Sequence, residues 1–179
     1  MSKKIKLFDP SIGIEEQEIT QKVLKSHFWA SGAGIGYVKK FEDSFKKYIN
    51  SSDCIAVNSG TAALNLALSL IDLKGKEVIV TSLTFVATIN AIILNGGKPV
   101  FVDVEPHTMC IDPNRIEEMI TKKTEIILPV HYTGMPCNLD KIKQICKKDD
   151  LILIEDAAHA AGAKFRGKRI GSHGNISMF

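Results

Sequence analysis

From Cys54 onward, short runs rich in Ile and Val alternate with longer segments whose apolar residues recur at helical spacing. That alternation is the pattern of a parallel sheet whose strands are returned by helical crossovers. Cys54–Val57, Glu77–Thr81, Pro99–Val102, Glu125–Val130 and Leu151–Glu155 read as buried strands, and Ile176–Phe179 begins another. Thr61–Ile71, Phe85–Leu94, Pro113–Ile120 and Leu139–Lys147 read as the helices between them, which the handedness rule makes right-handed crossovers. Asp112-Pro113 supplies an N-cap with proline at the first helical position, and Asn95-Gly96-Gly97 closes the helix before it. The fold class expected is therefore α/β, three layers with a mainly parallel sheet.

Ahead of the sheet lie two amphipathic segments, about Ile14–Ser26 and Tyr37–Ile49, joined by the glycine-rich stretch Trp29–Gly36. That stretch contains a GxGxG spacing, but no strand precedes it, so a dinucleotide fingerprint is not expected.

Composition narrows the function classes. With 45% hydrophobic and 24% charged residues over 179 positions, the chain can bury a substantial core. A net charge of +3, with lysines scattered in pairs such as Lys39-Lys40 and Lys147-Lys148, argues against nucleic-acid binding. The basic N-terminus lacks the apolar stretch of a signal peptide and no window reaches the length of a membrane span, so a cytoplasmic location without membrane contact is expected. Cys54, Cys110, Cys137 and Cys146 lack metal-ligand spacing and read as reduced thiols, and the histidines are dispersed, so no metal is expected.

In an open α/β sheet, ligands bind at the carboxyl ends of the strands, which confines the search for chemistry. At Asn58-Ser59-Gly60-Thr61-Ala62-Ala63 a strand passes through glycine into a helix, and free amides at such a helix start favour a phosphate; a capped helix without a ligand would read the same. Phe85, after the strand ending at Thr81, can stack on a flat ring or fill the core. In Ile154-Glu155-Asp156-Ala157-Ala158-His159, an apolar strand delivers carboxylates that need a cationic partner. A pyridinium nitrogen is one such partner for Asp156, and an N-cap role for the Ala-rich segment that follows is the alternative. His131 and Tyr132, also at a strand end, can line a substrate or cofactor face, or His131 can be a hydrogen-bonded loop residue. Phosphate, flat ring and ring nitrogen are the handles of one molecule, pyridoxal 5'-phosphate (PLP). A nucleotide would leave Asp156 without a partner.

These motifs, in this order, resemble the DegT/DnrJ/EryC1/StrS sugar aminotransferases, PLP enzymes of the aspartate-aminotransferase-like fold. The resemblance is carried by Trp29-Ala30-Ser31-Gly32, Asn58-Ser59-Gly60-Thr61-Ala62-Ala63-Leu64, Thr84-Phe85-Val86-Ala87-Thr88, Val102-Asp103-Val104, Pro129-Val130-His131, Gly134-Met135-Pro136 and Glu155-Asp156-Ala157-Ala158-His159. It implies that Gly60, Thr61 and Ala62 hold the cofactor phosphate, that Phe85 stacks on the ring, that Asp156 pairs with the ring nitrogen and that His159 lies near the ring oxygen. Trp29, Ser31, His131 and Tyr132 are the substrate-side candidates.

It divides the chain into residues 1–50, a helical segment with its glycine-rich loop, and residues 51–179, a PLP-binding large domain incomplete at its C-terminus. It further implies a homodimer that moves an amino group from an amino acid such as glutamate onto a nucleotide-linked keto-sugar, in polysaccharide or deoxyamino-sugar biosynthesis. The family's Schiff-base lysine falls beyond Phe179, and Lys164 and Lys168 come too early to replace it. The chain alone is thus expected to be inactive and, with apolar surface uncovered, weakly stable or prone to aggregate. A PLP-dependent sugar dehydratase and a non-catalytic regulatory or scaffold protein on the same fold are the alternatives.

Overall fold

A computed structural model describes residues 9–29 and 36–179. The N-terminal helices are α1 (Ile14–Lys25) and α2 (Gly36–Ile49). The body then runs α3 (Gly60–Ser69), β1 (Glu77–Thr81), α4 (Val86–Leu94), β2 (Lys98–Val102), α5 (Pro113–Ile116), β3 (Thr124–Leu128), α6 (Leu139–Asp149) and β4 (Ile152–Asp156). A small antiparallel hairpin, β5 (Lys164–Phe165) with β6 (Lys168–Arg169), leads to β7 (Ile176–Met178). The main sheet has the order β2-β1-β3-β4-β7, and every pairing in it is parallel.

Successive strand residues point to opposite faces, and each face has its own core. Val78 and Val80 of β1, Ile126 and Leu128 of β3 and Ile154 of β4 pack with Leu64 and Leu68 of α3 and Ile92 of α4. Ile79, Ile127 and Leu153 point the other way, onto Ile116 of α5 and Leu139 and Ile142 of α6. The central strands are buried on both sides, which is why they read as continuous apolar runs instead of alternating ones.

The expected caps are present. Asp112 accepts from the Asn114 amide at 2.9 Å with Pro113 in the first turn of α5. At the end of α4 the chain turns through Gly96 at φ +82°, a conformation that disfavours any Cβ. The segment expected to continue to Ile120 becomes a short 3-10 turn, Glu117–Met119, after α5.

One expected strand is not a strand. Cys54–Val57 forms no strand pairing among the described residues, and Ile55 is 70% exposed. No strand among the described residues runs beside it, and the Ala56 amide donates instead to Glu42 Oε1 of α2 at 2.9 Å. Helix α1 is amphipathic in sequence yet buries no residue, leaving Ile14, Ile19 and Leu24 exposed. No described helix is long and apolar enough to cross a membrane.

Candidate cofactor site

The start of α3 shows what a bare helix terminus offers. Ser59 is the N-cap: its hydroxyl accepts from the Ala62 amide at 3.1 Å and its carbonyl from the Ala63 amide at 3.0 Å. The amides of Gly60 and Thr61 precede the first intrahelical bond and remain for an external acceptor. Of the three amides assigned to phosphate, that of Ala62 is thus already engaged by the cap. Gly60 sits against the end of β7, where an added Cβ would lie 3.5 Å from Met178 Cε and 3.8 Å from the Phe179 carbonyl oxygen. Met178 is in turn the register partner of Asp156.

Phe85 is the N-cap residue of α4 and is 72% exposed. Its exposure removes the core alternative: an aromatic ring of this size stands at the carboxyl edge of the sheet with little packed on it. One turn later Thr88, 1% exposed, donates from Oγ1 to Asp156 Oδ2 at 2.8 Å. Asp156 is 5% exposed, and Oδ1 receives only a long contact from the Ala158 amide at 3.3 Å. Among the described residues no Lys, Arg or His forms an ion pair with it. The N-cap alternative fails as well, because residues 157–160 form a turn and not a helix. A nearly buried carboxylate without a cation is costly unless a cationic ligand completes it. These contacts run from Phe85 through Thr88 to Asp156, and from Asp156 through Met178 to Gly60, placing all three handles at one sheet edge.

His159 is exposed on the turn after β4, its Nδ1 accepting from the Thr133 amide at 3.3 Å and its ring meeting Tyr132 edge-on at 6.1 Å. Tyr132 itself is half-buried against the core on the α6 side. His131 requires correction: it does not line the open face. It is 0% exposed, with Nε2 3.0 Å from Glu155 Oε2 and Nδ1 accepting from the Cys137 amide at 3.1 Å. The cause is the strand alternation, which sends Glu155 to the α6 face and Asp156 to the α3–α4 face. Trp29 is 63% exposed and its indole N–H donates to the Val23 and Leu24 carbonyls at the end of α1, away from these contacts. Ser31 lies outside the described residues.

Sequence reasoning missed Thr88 as a partner of Asp156. Its position three residues after Phe85 was a usable signal, since a helix brings i and i+3 to one side. The matching role of Glu155 as a structural acceptor carried no such local sign. Among the described residues no group of three or more His, Cys, Asp or Glu side chains could hold a metal ion.

A parallel sheet flanked by helices, with an anion-ready helix start, an exposed aromatic and a cation-seeking acid at its carboxyl edge, defines the large-domain class of aspartate-aminotransferase-like proteins. The chain belongs to the DegT/DnrJ/EryC1/StrS aminotransferase family, whose model matches residues 10–179. It is 45% identical over 173 residues to the uncharacterised protein MJ1066 of Methanocaldococcus jannaschii, covering 96% of this chain and 44% of that protein. GDP-perosamine synthase of Escherichia coli O157:H7 is 39% identical, with 99% of this chain and 48% of the synthase covered. Among solved structures, the aminotransferase from Psychrobacter cryohalolentis aligns with TM-score 0.87 at 38% identity, over 94% of this chain and 42% of that one. The chain spans less than half the length of these relatives.

Proposed function

We propose that this chain forms the cofactor cradle of a PLP-dependent aminotransferase acting on a nucleotide-linked keto-sugar, with an amino acid such as glutamate as donor. The single observation that carries the reading is Asp156, a nearly buried carboxylate tethered on one oxygen and without a cationic partner among the described residues. PLP, when bound, supplies an electron sink for the substrate's reacting carbon. The rest is the work of the chain's own groups. The Gly60 and Thr61 amides at the start of α3 take the phosphate, and Phe85 covers the ring and excludes water from one face. Asp156 holds a proton on the ring nitrogen, and His159 donates toward the ring oxygen from Nε2, its Nδ1 being occupied by the Thr133 amide. The amino-sugar substrate class is supported by the likeness to GDP-perosamine synthase.

A second reading has a specific support: GDP-4-keto-6-deoxymannose-3-dehydratase aligns with TM-score 0.88 at 31% identity, so the same cradle suits sugar dehydration. The exposed apolar residues of α1 and α4, Ile14, Ile19, Leu24, Ile93 and Leu94, favour a homodimer that covers them. Sedimentation tests this: a monomer at all concentrations would count against the dimer.

Equilibrium binding of pyridoxamine 5'-phosphate, which lacks the aldehyde that reacts with surface lysines, tests the cradle. Saturable uptake by the wild-type chain that is lost in Asp156→Asn is the expected result. Uptake unaffected by Asp156→Asn would overturn the reading. Product analysis with a nucleotide-linked keto-sugar and glutamate separates amination from dehydration.

A further inference from the structure

The carboxylate that receives the ring nitrogen is itself held by a hydroxyl relay, and we infer that Thr88 is the positioning residue that aims Asp156. The inference rests on the reading of Asp156 as the partner of a pyridinium nitrogen.

A threonine in the first turn of a helix ordinarily turns its hydroxyl toward a nearby backbone carbonyl. Thr88 does not: Oγ1 lies 2.8 Å from Asp156 Oδ2, sixty-eight positions away in the chain. An ionised carboxylate only accepts, so the single hydroxyl proton of Thr88 is committed to Asp156. The oxygen of Thr88 therefore accepts from Thr84 Oγ1, also at 2.8 Å. The order of donation is thus Thr84 to Thr88 to Asp156, and each bond in such a chain polarises the next. Thr88 is 1% exposed, so no water competes for its proton.

Fixing Oδ2 has a geometric consequence. A carboxylate rotates readily about its last bond, and Oδ1 has only the 3.3 Å contact with the Ala158 amide to hold it. With Oδ2 anchored on α4, Oδ1 is left to face a ligand. The anchor also lies one turn from Phe85, the N-cap of the same helix. A single helix end therefore sets both the ring that covers a flat ligand and the acid that meets its edge. Any shift of α4 would move the two together.

The test compares two ligands, pyridoxamine 5'-phosphate and its analogue with the ring nitrogen replaced by C–H, by titration calorimetry on the full chain. Thr88→Val is expected to weaken the pyridoxamine phosphate complex about tenfold, the scale of one hydrogen bond to a charged group. It is expected to leave the analogue unchanged, and Thr88→Ser should restore the difference. Thr88→Ala, which removes the hydroxyl without a β-branched strain in the helix, should repeat the selective loss if the valine variant folds poorly. Equal weakening of both ligands, or no weakening of either, in a folded Thr88 variant overturns the inference. Asp156→Asn reports on the reading beneath it: if that variant still discriminates between the two ligands, or if the wild-type chain takes up neither, the pyridinium assignment falls and takes the inference with it. Loss of discrimination in Asp156→Asn with full discrimination in Thr88→Ala would overturn the role of Thr88 alone.

Discussion

Glu155 and Asp156 are consecutive acids on one strand, and the sheet gives them opposite fates. Glu155 points to the α6 face, where both its oxygens are used: Oε2 meets His131 Nε2 at 3.0 Å, while Oε1 accepts from the Gly174 amide at 2.5 Å and Ser177 Oγ at 3.1 Å. Asp156 points to the α3–α4 face with one oxygen tethered and the other under-used. Burial is similar, 0% against 5%, so accessibility alone does not distinguish them. The number of donors does. A buried carboxylate with its full set of donors is a structural pin that ties the loop before β7 to β4, whereas one left short of donors is prepared for a ligand.

The sharpest way to break this comparison is to remove the pin. Glu155→Ala strands the His131 ring, the Gly174 amide and the Ser177 hydroxyl in the interior, and a loss of about 3–5 kcal/mol is expected in urea unfolding. Asp156→Asn keeps an acceptor for Thr88 and should change stability by less than about 1 kcal/mol, while cofactor binding is lost. Equal destabilisation by the two variants would erase the distinction.

On the sealed face, the Cys146 thiol resists ionisation. Cys146 of α6 is 7% exposed, and burial pushes its thiol up to about 11 from an ordinary 9.0. A raised thiol pKa means that the folded chain holds a proton the unfolded chain has lost. The contribution is therefore intact below about pH 9 and disappears as pH rises toward about 11, a loss on the order of 2 kcal/mol. Urea titrations across that window should show the decline, and Cys146→Ala should make it shallower, the buried Cys137 thiol, which is also pushed up, keeping part of the slope.

The smallest effect belongs to the open face. Phe85→Ala removes a ring that packs on little, so stability should stay within about 0.5 kcal/mol. Affinity for pyridoxamine phosphate should fall by about 0.5–1.5 kcal/mol, readable in the same calorimetric titration. A large drop in stability would show that the ring serves packing after all.

Much of the fold was legible in the amino-acid sequence. Ile- and Val-rich runs such as Glu77–Thr81 and Glu125–Val130 found their strands because a parallel strand buried on both faces needs apolar residues throughout. Gly60, Phe85, Asp156 and His159 could be singled out as candidates because an α/β sheet displays ligand-binding groups just past its strand ends, and the structure places them along that edge. Cys54–Val57 misled for the same reason: it has a strand's residues, but strand pairing is a property of the neighbour, and its amides at Cys54 and Ala56 go to the Asp53 and Glu42 carboxylates instead. His131 misled because a histidine after a strand looks alike whichever face it takes.

The sequence by itself determined the order of elements, the caps and the chemical inventory at the carboxyl edge, since these depend on residues close together in the chain. Only the tertiary structure decided that His131 pins Glu155 while Thr88 tethers Asp156. Those partners come from segments 24 and 68 positions away. Which of two adjacent acids meets which partner is set by strand register and by the helix packed on each face, and neither is encoded in local spacing.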